Sequence, residues 1–354
     1  MRQRRVGRLG VAALSALVAA QESCGSKTGL YVPCTVEFVP DQPEIIFVVD
    51  RSGSMTEINA EGVTYWTALD RALRQTLPQL QGFARVGMAF FPVGSTPQTW
   101  CRAEPRPAID VTENISTILA RFPAGPEPAG GTPTFDGLAA AISEHRERRR
   151  TDSQRRRFVV LVTDGGAGCN EQHALDRCTC LLMDTEDACI RNPTIGRIAC
   201  LDDERILSLL RQAQSEGIDT FVIGLVGMSF SPRNEMIYRR FLDEIAEAGG
   251  RGNPTSPRYL AATNTREIET ALSRPIQEIA TCFLARQNDR AIVGERLYHE
   301  GTSIERDSTE RNGWNWTDAS NTRIRLFGSA CQRAVESNIR RWYTPAEGRC
   351  LPPE

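Results

Sequence analysis

Five consecutive apolar residues, Ile45 to Val49, run without a polar interruption. Such a run is typical of a strand that is buried on both faces, which is the usual condition of strands in a parallel sheet. Phe158 to Val162 form a second run of the same kind. Asp50 follows the first run directly, and Asp164 follows the second run after Thr163. Both runs therefore predict buried parallel strands that end beside an acidic side chain.

Amphipathic stretches separate the strand-like segments. Further strands are predicted at 85–91, 218–225 and 258–262, and helices at 66–80, 115–122, 135–145, 203–216, 236–248 and 265–282. This alternation predicts an α/β fold with a doubly wound, mostly parallel sheet flanked by helices. Ligands of such sheets bind at the carboxyl ends of the strands, near the point where the strand order reverses. Asp50 and Asp164 both lie at carboxyl ends.

The residues after the first strand carry side-chain oxygen atoms at alternate positions, in Asp50, Ser52 and Ser54. Side chains two residues apart can converge on one point, and hard oxygen ligands with little total charge suit a small, hard cation. Thr132, in a Gly/Pro-rich loop before a helical stretch, and Asp164 offer two more oxygen ligands. These segments predict a metal site. A turn that is merely capped by its Asp and Ser side chains is the alternative.

The three segments resemble the von Willebrand factor A domain and its metal-ion-dependent adhesion site, whose pattern is Asp-x-Ser-x-Ser, then Thr, then Asp. The resemblance covers about residues 43–285, and it implies a bound Mg²⁺, with Mn²⁺ or Ca²⁺ as alternatives. In the family the two Ser hydroxyls bind the metal directly, Thr binds directly or through water, and the Asp residues often act through water. The implied metal-binding residues are Asp50, Ser52, Ser54, Thr132 and Asp164. Thr134 is the alternative to Thr132.

Charge and composition exclude several classes of function. The formal net charge of −2 over 354 residues argues against a general nucleic-acid binder. Lys27 is the only lysine and stands in neither a phosphate-loop nor a Schiff-base setting. No histidine or further carboxylate that would activate water lies next to the motif segments. We therefore expect a binding protein and not an enzyme. The arginine-rich segment 146–157 is expected to be solvated, with a patch for an anionic partner as the alternative.

The N-terminus has the features of an export signal. Arginines precede an apolar run, Leu9 to Ala20, which is too short to cross a bilayer comfortably and ends in small residues. We predict a signal peptide at 1–20, with a buried helix as the alternative, and a tether at 21–42. No later segment reaches transmembrane length. The expected location is the periplasm, the outer membrane or cell surface, or the extracellular space.

Eleven cysteines fit an oxidising compartment. Their odd number leaves one without a partner, and Cys24 lies where a bacterial lipoprotein carries its lipid. The preceding residues, 21–23, match a lipidation signal poorly. A lipid anchor at Cys24 and a disulfide between Cys24 and Cys34 both remain open.

A cysteine-rich insertion at 167–202 follows Asp164 and shows no clear periodicity. A loop this long is uncommon in an α/β domain and tends to be functional. Disulfides are expected to hold its shape. Its cysteines are Cys169, Cys178, Cys180, Cys189 and Cys200. Because five is an odd number, one should pair outside the insertion, with Cys101 as the candidate. A zinc site at His173, Cys178 and Cys180 with another cysteine is the alternative, although Cys-x-Cys departs from the usual spacing. We expect the insertion to border the metal and to shape ligand choice.

The α/β alternation stops near residue 284, and 286–354 is predicted to be a small β-rich domain. Cys331 and Cys350, with Cys282 as a further candidate, are expected to cross-link it. Asn312-Gly313 is a strong hairpin signal. Trp314 and Trp316 are expected to pack in its core, with carbohydrate binding as the alternative.

Asp50 and Asp164 bring at most two negative charges, so a divalent ion between them could still attract a third carboxylate. The resemblance implies such adhesion-type binding. We expect a divalent-metal-dependent protein-binding module whose partner protein offers an acidic side chain. A metal-stabilised structural or sensory surface protein is the alternative. A hydrolase or a thiol–disulfide redox protein is a third interpretation. The absence of a Cys-x-x-Cys pair disfavours the redox protein.

Overall fold

The computed structural model describes residues 32–350 apart from 97, 128–129, 154, 171–177, 182–188, 190, 193–195, 197, 226–230, 280–281, 289, 293 and 338–340. The predicted signal peptide at 1–20, the predicted lipid anchor at Cys24, Lys27, and His173 lie outside the described residues. Among the described helices, none combines the length and the apolar character that a membrane span requires.

The described strands are β1 (Val32–Pro40), β2 (Glu44–Asp50), β3 (Arg85–Phe91), β4 (Ile109–Thr112), β5 (Arg157–Thr163), β6 (Ile218–Leu225), β7 (Leu260–Ala262), β8 (Phe283–Arg286), β9 (Arg296–His299), β10 (Thr302–Glu305), β11 (Gly313–Trp316), β12 (Arg323–Phe327) and β13 (Trp342–Cys350). The described helices are α1 (Tyr65–Thr76), α2 (Ile115–Arg121), α3 (Thr134–Arg149), α4 (Asp203–Ser215), α5 (Pro232–Ala248), α6 (Thr265–Ile279) and α7 (Gly328–Glu336). Short helical turns cover Gly53–Thr56 and Leu77–Leu80.

The first sheet has the strand order β4-β3-β2-β5-β6-β7. Its strands are parallel, except that β4 runs antiparallel to β3. The chain moves outward from β2 to β3 and later returns to place β5 on the other side of β2, so the order reverses between β2 and β5. The predicted doubly wound sheet is confirmed. Strand β4 was missed because it is a short edge strand that contains the exposed Asp110.

Helices cover both faces of this sheet, and β2 and β5 are therefore buried along their full length. Successive side chains of a strand point to opposite faces. Phe47 and Val49 belong to the core that includes α1 and α6, whereas Ile46 and Val48 belong to the core that includes α3, α4 and α5. Helix α4 ends where predicted, before Gly217, whose φ of +76° suits glycine.

The second sheet has the strand order β10-β9-β13-β1-β8-β12-β11, and its neighbouring strands pair antiparallel. The predictions of a tether at 21–42 and of a boundary at 286 are therefore wrong in part, because β1 lies in the middle of this sheet and β8 begins at Phe283. The alternation of the buried Cys34, Val36 and Phe38 is the period-two signal that identifies β1. The β-rich character predicted for the C-terminal unit is confirmed.

The predicted hairpin at Asn312-Gly313 is wrong. Strand β11 pairs with β12, and the connection between them covers 317–322. The segment before β11 is instead organised by Asp307, whose carboxylate accepts backbone N–H groups from Thr309, Arg311 and Asn312 at 2.8, 3.0 and 2.9 Å. The Asp307 carboxylate thus accepts the N–H groups that would otherwise donate to a paired strand.

Burial decides between core packing and carbohydrate binding for the two tryptophans of the C-terminal unit. Trp314 is 2% exposed, and its indole N–H donates to the carbonyl of Ile304 at 3.2 Å. Trp316 packs partly buried against the same core. The expected core packing is therefore confirmed for both tryptophans. Cys282 and Cys331 form a disulfide, and Cys34 is also disulfide-bonded.

The arginine-rich segment pairs with acids instead of facing solvent. Glu44, whose side chain is 2% exposed, lies 2.7 Å from the Arg148 guanidinium and 3.2 Å from that of Arg157. Arg156 pairs with Asp41, which also accepts a hydrogen bond from Arg323 of the second sheet at 3.0 Å. The expectation of a solvated segment is wrong for these residues, because the strands beside them supply buried carboxylates.

Candidate metal site

The two aspartates of the motif lie on neighbouring strands. Val49 and Val162 are register partners in the parallel pair β2–β5, so Asp50 and Asp164 leave the sheet at the same edge. This edge is the carboxyl end of both strands, at the point where the strand order reverses. The fold therefore places both acids where doubly wound sheets bind their ligands.

The turn after β2 is organised around the Asp50 carboxylate. Asp50 Oδ1 accepts the backbone N–H of Ser52 at 2.8 Å, and the Ser52 and Ser54 hydroxyl oxygens lie 3.0 Å apart. Asp50 and Ser52 are buried, while Ser54 is half-buried. The helical turn Gly53–Thr56 brings the two hydroxyls to one side. Alternate residues converge here, as the motif predicts.

Asp164 completes a chain of polar contacts across the two strands. The Ser54 hydroxyl donates to Asp164 Oδ1 at 2.9 Å, and Asp164 is 2% exposed. Asp164 Oδ2 is buried, and no donor among the described residues contacts it. A buried carboxylate oxygen without a protein donor is free to contact an ion or an ordered water molecule.

Thr163 was not predicted as a site residue, although it contacts the motif. Its hydroxyl donates to Asp50 Oδ2 at 2.6 Å. The signal that would have found it is a hydroxyl at the last position of an otherwise apolar strand, directly before the second aspartate. Thr163 orients the Asp50 carboxylate, because both oxygens of that carboxylate now have donors.

The two carboxylates affect each other's protonation. Burial raises the pKa of Asp50 to about 6, although hydrogen bonds from Ser52 and Thr163 act in the opposite direction. Burial, and next the charge of Asp50, hold the pKa of Asp164 well above its usual range. Two acids in a small buried volume therefore resist ionising together. A cation between them would remove this cost.

The Thr132 loop is attached to the motif turn by backbone hydrogen bonds. Gly53 N–H donates to the carbonyl of Gly130 at 3.1 Å, and Glu127 N–H donates to the carbonyl of Arg51 at 2.6 Å. An ion pair of 2.7 Å between the Arg51 and Glu127 side chains adds to this attachment. The loop that leads to Thr132 is thus held beside the serines.

Thr132 and Thr134 occupy different environments. Thr132 is half-buried and, together with Ser54, lines a pocket of about 330 Å³. Thr134 is 1% exposed, begins α3, and donates its backbone N–H to the carbonyl of Thr132 at 2.9 Å. The position of Thr132 fits the predicted ligand, and Thr134 belongs to the start of the helix.

The cysteine-rich insertion borders this pocket. Gly168, Leu181, Ile198 and Ala199 line it from the insertion side. The predicted disulfide between Cys101 and the insertion is confirmed, with Cys169 as the partner. This disulfide lies against Gly131, next to Thr132. A Cβ built on Gly131 would lie only 2.9 Å from Cys169 Sγ.

The other four cysteines of the insertion pair with each other. Cys178 bonds to Cys200, and Cys180 bonds to Cys189. The sulfur atoms of Cys178, Cys189 and Cys200 lie close enough together to hold a metal. However, disulfide sulfurs are not thiolates, and thiolates are the form that binds zinc. The alternative of a zinc site at Cys178 and Cys180 is therefore wrong.

The donor set suits a hard cation. Asp50, Ser52, Ser54, Thr132 and Asp164 offer oxygen atoms only, with no sulfur or imidazole among them. Mg²⁺, Mn²⁺ and Ca²⁺ prefer such ligands, whereas zinc and copper prefer nitrogen or sulfur. The unpartnered Asp164 Oδ2 and the mutual repulsion of the two acids both fit a divalent cation at this edge.

Comparison with known proteins agrees with this fold. Residues 45–167 match the family described as von Willebrand factor type A domain. The matched range contains all of β2 except Glu44, the whole of β5 and the segments that carry the five motif residues. No curated protein matches the chain.

Several solved structures resemble the chain. The pilus adhesin SpaC from Lactobacillus rhamnosus GG has 13% identity and a TM-score of 0.48 over 85% of this chain and 38% of its own. BatB from Bacteroides thetaiotaomicron has 15% identity and a TM-score of 0.41 over 67% of this chain and 98% of its own. The PilB minor pilin from Streptococcus sanguinis has 16% identity and a TM-score of 0.41 over 67% and 61%. This chain thus spans well under half of the adhesin's length.

Proposed function

This chain contains a von Willebrand factor type A domain, and we propose that the domain is a binding module without catalytic activity. A divalent cation at the edge of β2 and β5 would accept a carboxylate from a partner protein. The same edge carries the acids, hydroxyls and pocket described above. Mg²⁺ is the proposed ion, and Mn²⁺ and Ca²⁺ are the alternatives with the same ligand preference.

The observation that carries this proposal is the buried pair of Asp50 and Asp164. Both are at most 2% exposed, and Asp164 Oδ2 has no donor within the described part of the chain. An arrangement of this kind costs stability unless a positive charge joins it. Ser52, Ser54 and Thr132 would complete the ligand set with neutral oxygen atoms. Because the site brings at most two negative charges, a bound divalent ion could still attract a third carboxylate.

Several features favour binding over catalysis. The lining of the pocket beside the site contains no histidine among the described residues. His145, whose pKa burial lowers to about 4, lies on the buried face of α3, where its ring nitrogen is 2.9 Å from the carbonyl of Phe158 on β5. The Asp50 carboxylate is already engaged with Ser52 and Thr163. The described lining of the pocket thus offers Ser52 and Ser54 no histidine base, and the carboxylate that accepts from Ser54, that of Asp164, is the one proposed to face the cation.

An exported location fits the disulfides. Cross-links at Cys101–Cys169, Cys178–Cys200, Cys180–Cys189 and Cys282–Cys331 form and persist in oxidising compartments. We propose a protein of the cell surface, the periplasm or the extracellular space. Its place there would let the cation site meet a partner protein.

Mn²⁺ serves as the probe for the cation site because its electron paramagnetic resonance signal reports the free ion. We expect wild-type protein to bind Mn²⁺ at one site, with Mg²⁺ competing. Ser54→Ala should weaken Mn²⁺ binding by at least about tenfold, since even groups that only support metal ligands typically contribute 10–100-fold. Ser208→Ala, on the exposed face of α4, is the matched control and should bind as the wild type does.

A second titration separates the binding module from a metal-stabilised scaffold. Blocked peptides that contain aspartate should bind the Mn²⁺-loaded protein, and the asparagine counterparts should not. Chelation should abolish the binding of the acidic peptides. Mn²⁺ binding that stabilises the fold while no acidic peptide binds would favour the scaffold alternative and contradict the proposed function.

A further inference from the structure

The pocket beside the proposed cation site is apolar over most of its wall. Ser54 and Thr132 line the end next to the cation site, and the larger side chains are those of Trp100, Leu181 and Tyr238. Its volume of about 330 Å³ lies at the lower end of the ~300–1,000 Å³ that is typical of ligand pockets. Among the described lining residues, none has a charged side chain. The pocket therefore suits an apolar group and not a second acid.

Two consecutive glycines after Asp164 show where the open space lies. Gly165 is buried, yet a Cβ built on it meets no atom within 4 Å. A Cβ on Gly166 would collide with the ring of Tyr238. The ring thus packs directly on the backbone of Gly166, whereas the space in front of Gly165 belongs to the pocket. The pocket begins one residue away from Asp164.

The walls of the pocket are held by covalent and hydrogen bonds. Trp100 precedes Cys101, which is bonded to Cys169 of the insertion. Leu181 donates its N–H to the carbonyl of Ala199 at 2.8 Å. The carbonyl of Leu181 accepts a hydrogen bond of 2.8 Å from the side chain of Asn234 on α5. Walls fixed in this way reduce the ordering cost of binding.

We propose that the partner segment carries a large apolar residue one or two positions from the acidic residue that the cation accepts. The inference rests on the proposed function of the cation site. The carboxylate would lie at Ser54 and Thr132, and the apolar side chain would fill the pocket between Trp100, Leu181 and Tyr238. Consecutive Cα atoms are about 3.8 Å apart, so one short segment can reach both. The insertion thereby selects the residue beside the acid.

The test compares blocked peptides on the Mn²⁺-loaded protein. Acetyl-Asp-Phe-Gly-amide and acetyl-Asp-Gly-Phe-amide are each measured against acetyl-Asp-Gly-Gly-amide. We expect the better phenylalanine peptide to bind about 10-fold to 100-fold more tightly, the gain expected from burying one large apolar side chain. Acetyl-Asn-Phe-Gly-amide, which keeps the ring but lacks the acid, should bind weakly and without dependence on Mn²⁺.

Two substitutions connect the preference to the pocket. Gly165→Leu places a side chain into the pocket, and Gly125→Leu is its control, because Gly125 also has open space for a Cβ but does not line this pocket. Leu181→Ser removes an apolar wall on the insertion side. Gly165→Leu and Leu181→Ser should each reduce the preference for phenylalanine to about threefold or less, and Gly125→Leu should retain it. The Mn²⁺ affinity of each variant is measured in parallel, so that an effect on the cation is recognised.

The outcomes separate the two proposals. Equal affinity of wild-type protein for the phenylalanine and glycine peptides, with Mn²⁺-dependent binding of both, overturns this inference and leaves the proposed function standing. Absence of binding by every acidic peptide to the Mn²⁺-loaded protein overturns the proposed function and, with it, this inference. Tight binding of acetyl-Asn-Phe-Gly-amide without Mn²⁺ shows that the pocket acts independently of the cation, which also overturns the inference.

Discussion

Asp50→Asn is expected to stabilise the metal-free protein at pH 7.5 and to remove its stabilisation by Mg²⁺. The pKa of Asp50 is about 6 in the fold against an ordinary value of 3.8. That difference corresponds to roughly 3 kcal/mol of unfolding free energy lost when the carboxylate is ionised at neutral pH. Asparagine keeps the acceptor for Ser52 N–H. The Thr163 hydroxyl can then accept from the amide and donate to the carbonyl of Gly165, which lies 3.5 Å away.

The raised pKa of Asp50 also determines how the unfolding free energy changes with pH. Because the fold raises the pKa of Asp50, its protonated form is favoured in the folded state. The unfolding free energy of metal-free wild-type protein should therefore fall as pH rises from about 4 to about 6, and stay low above that range. The variant should lack this contribution. Chemical denaturation in chelator between pH 4 and pH 8 measures both curves.

Mg²⁺ should reverse the order of stability. Wild-type protein should gain stability on addition of Mg²⁺, whereas Asp50→Asn should gain little. Asp70→Asn, which affects a partly exposed pair with Arg74 on α1, is the matched control and should change the unfolding free energy by less than about 1 kcal/mol. Superimposable curves for wild type and Asp50→Asn in chelator at every pH would show that burying this carboxylate costs nothing.

The first sheet was predictable because its signals are local. Each buried run, such as Ile45 to Val49, lies within one strand, and the aspartates follow the runs directly. The order of the two strands in the sheet then follows from the rules for doubly wound folds. The motif residues were predicted from similar local settings: Asp50 and Asp164 follow predicted strands, and Thr132 lies in the loop before a predicted helix. What brings them together is the topology and not their spacing along the chain.

The residues around the site could not be predicted in this way. Trp100, Leu181 and Tyr238 come from separate loops and a helix, and no spacing connects them. Their meeting depends on the path of the insertion, which disulfides determine. Cys101 was found because an odd number of cysteines in the insertion required an external partner, a constraint that acts across the chain. Aromatic residues impose no comparable constraint.

Errors in the second sheet have a different origin. The alternation of Cys34, Val36 and Phe38 is readable as a strand, but nothing near it in sequence shows its partners. These partners, β13 and β8, lie more than 200 residues later. At Asn312-Gly313 the local turn signal was overridden by Asp307, which gathers the N–H groups of the loop. The hairpin prediction thus failed because two local signals competed. The place of β1 in the sheet was missed because its partner strands are distant in sequence.

Glu44→Gln is expected to lower the unfolding free energy by about 3–5 kcal/mol, the usual loss when one partner of a buried ion pair is removed. Glu44 is 1% exposed and pairs with Arg148 and with Arg157, whose side chain is fully buried. Burial raises the pKa of Glu44, but the hydrogen bond from Arg148 and the neighbouring arginine charges outweigh burial and lower it. The neutral glutamine leaves Arg157 buried without its counter-charge.

Two controls decide whether this loss comes from the buried charge. Glu113→Gln breaks an exposed pair with Arg85 at 2.7 Å and should cost about 1 kcal/mol or less. Glu44→Leu combined with Arg157→Met removes both charges and should be much less destabilising than Glu44→Gln, because no unpaired charge remains in the core. If the double variant is as unstable as Glu44→Gln, the loss is one of packing and not of charge.

Glu44 begins the strand that ends at Asp50, so this network holds β2 beside β5 from the end opposite the cation site. Glu44→Gln should therefore weaken Mn²⁺ binding only as far as it unfolds the protein, whereas Ser54→Ala should weaken Mn²⁺ binding in a protein that remains folded.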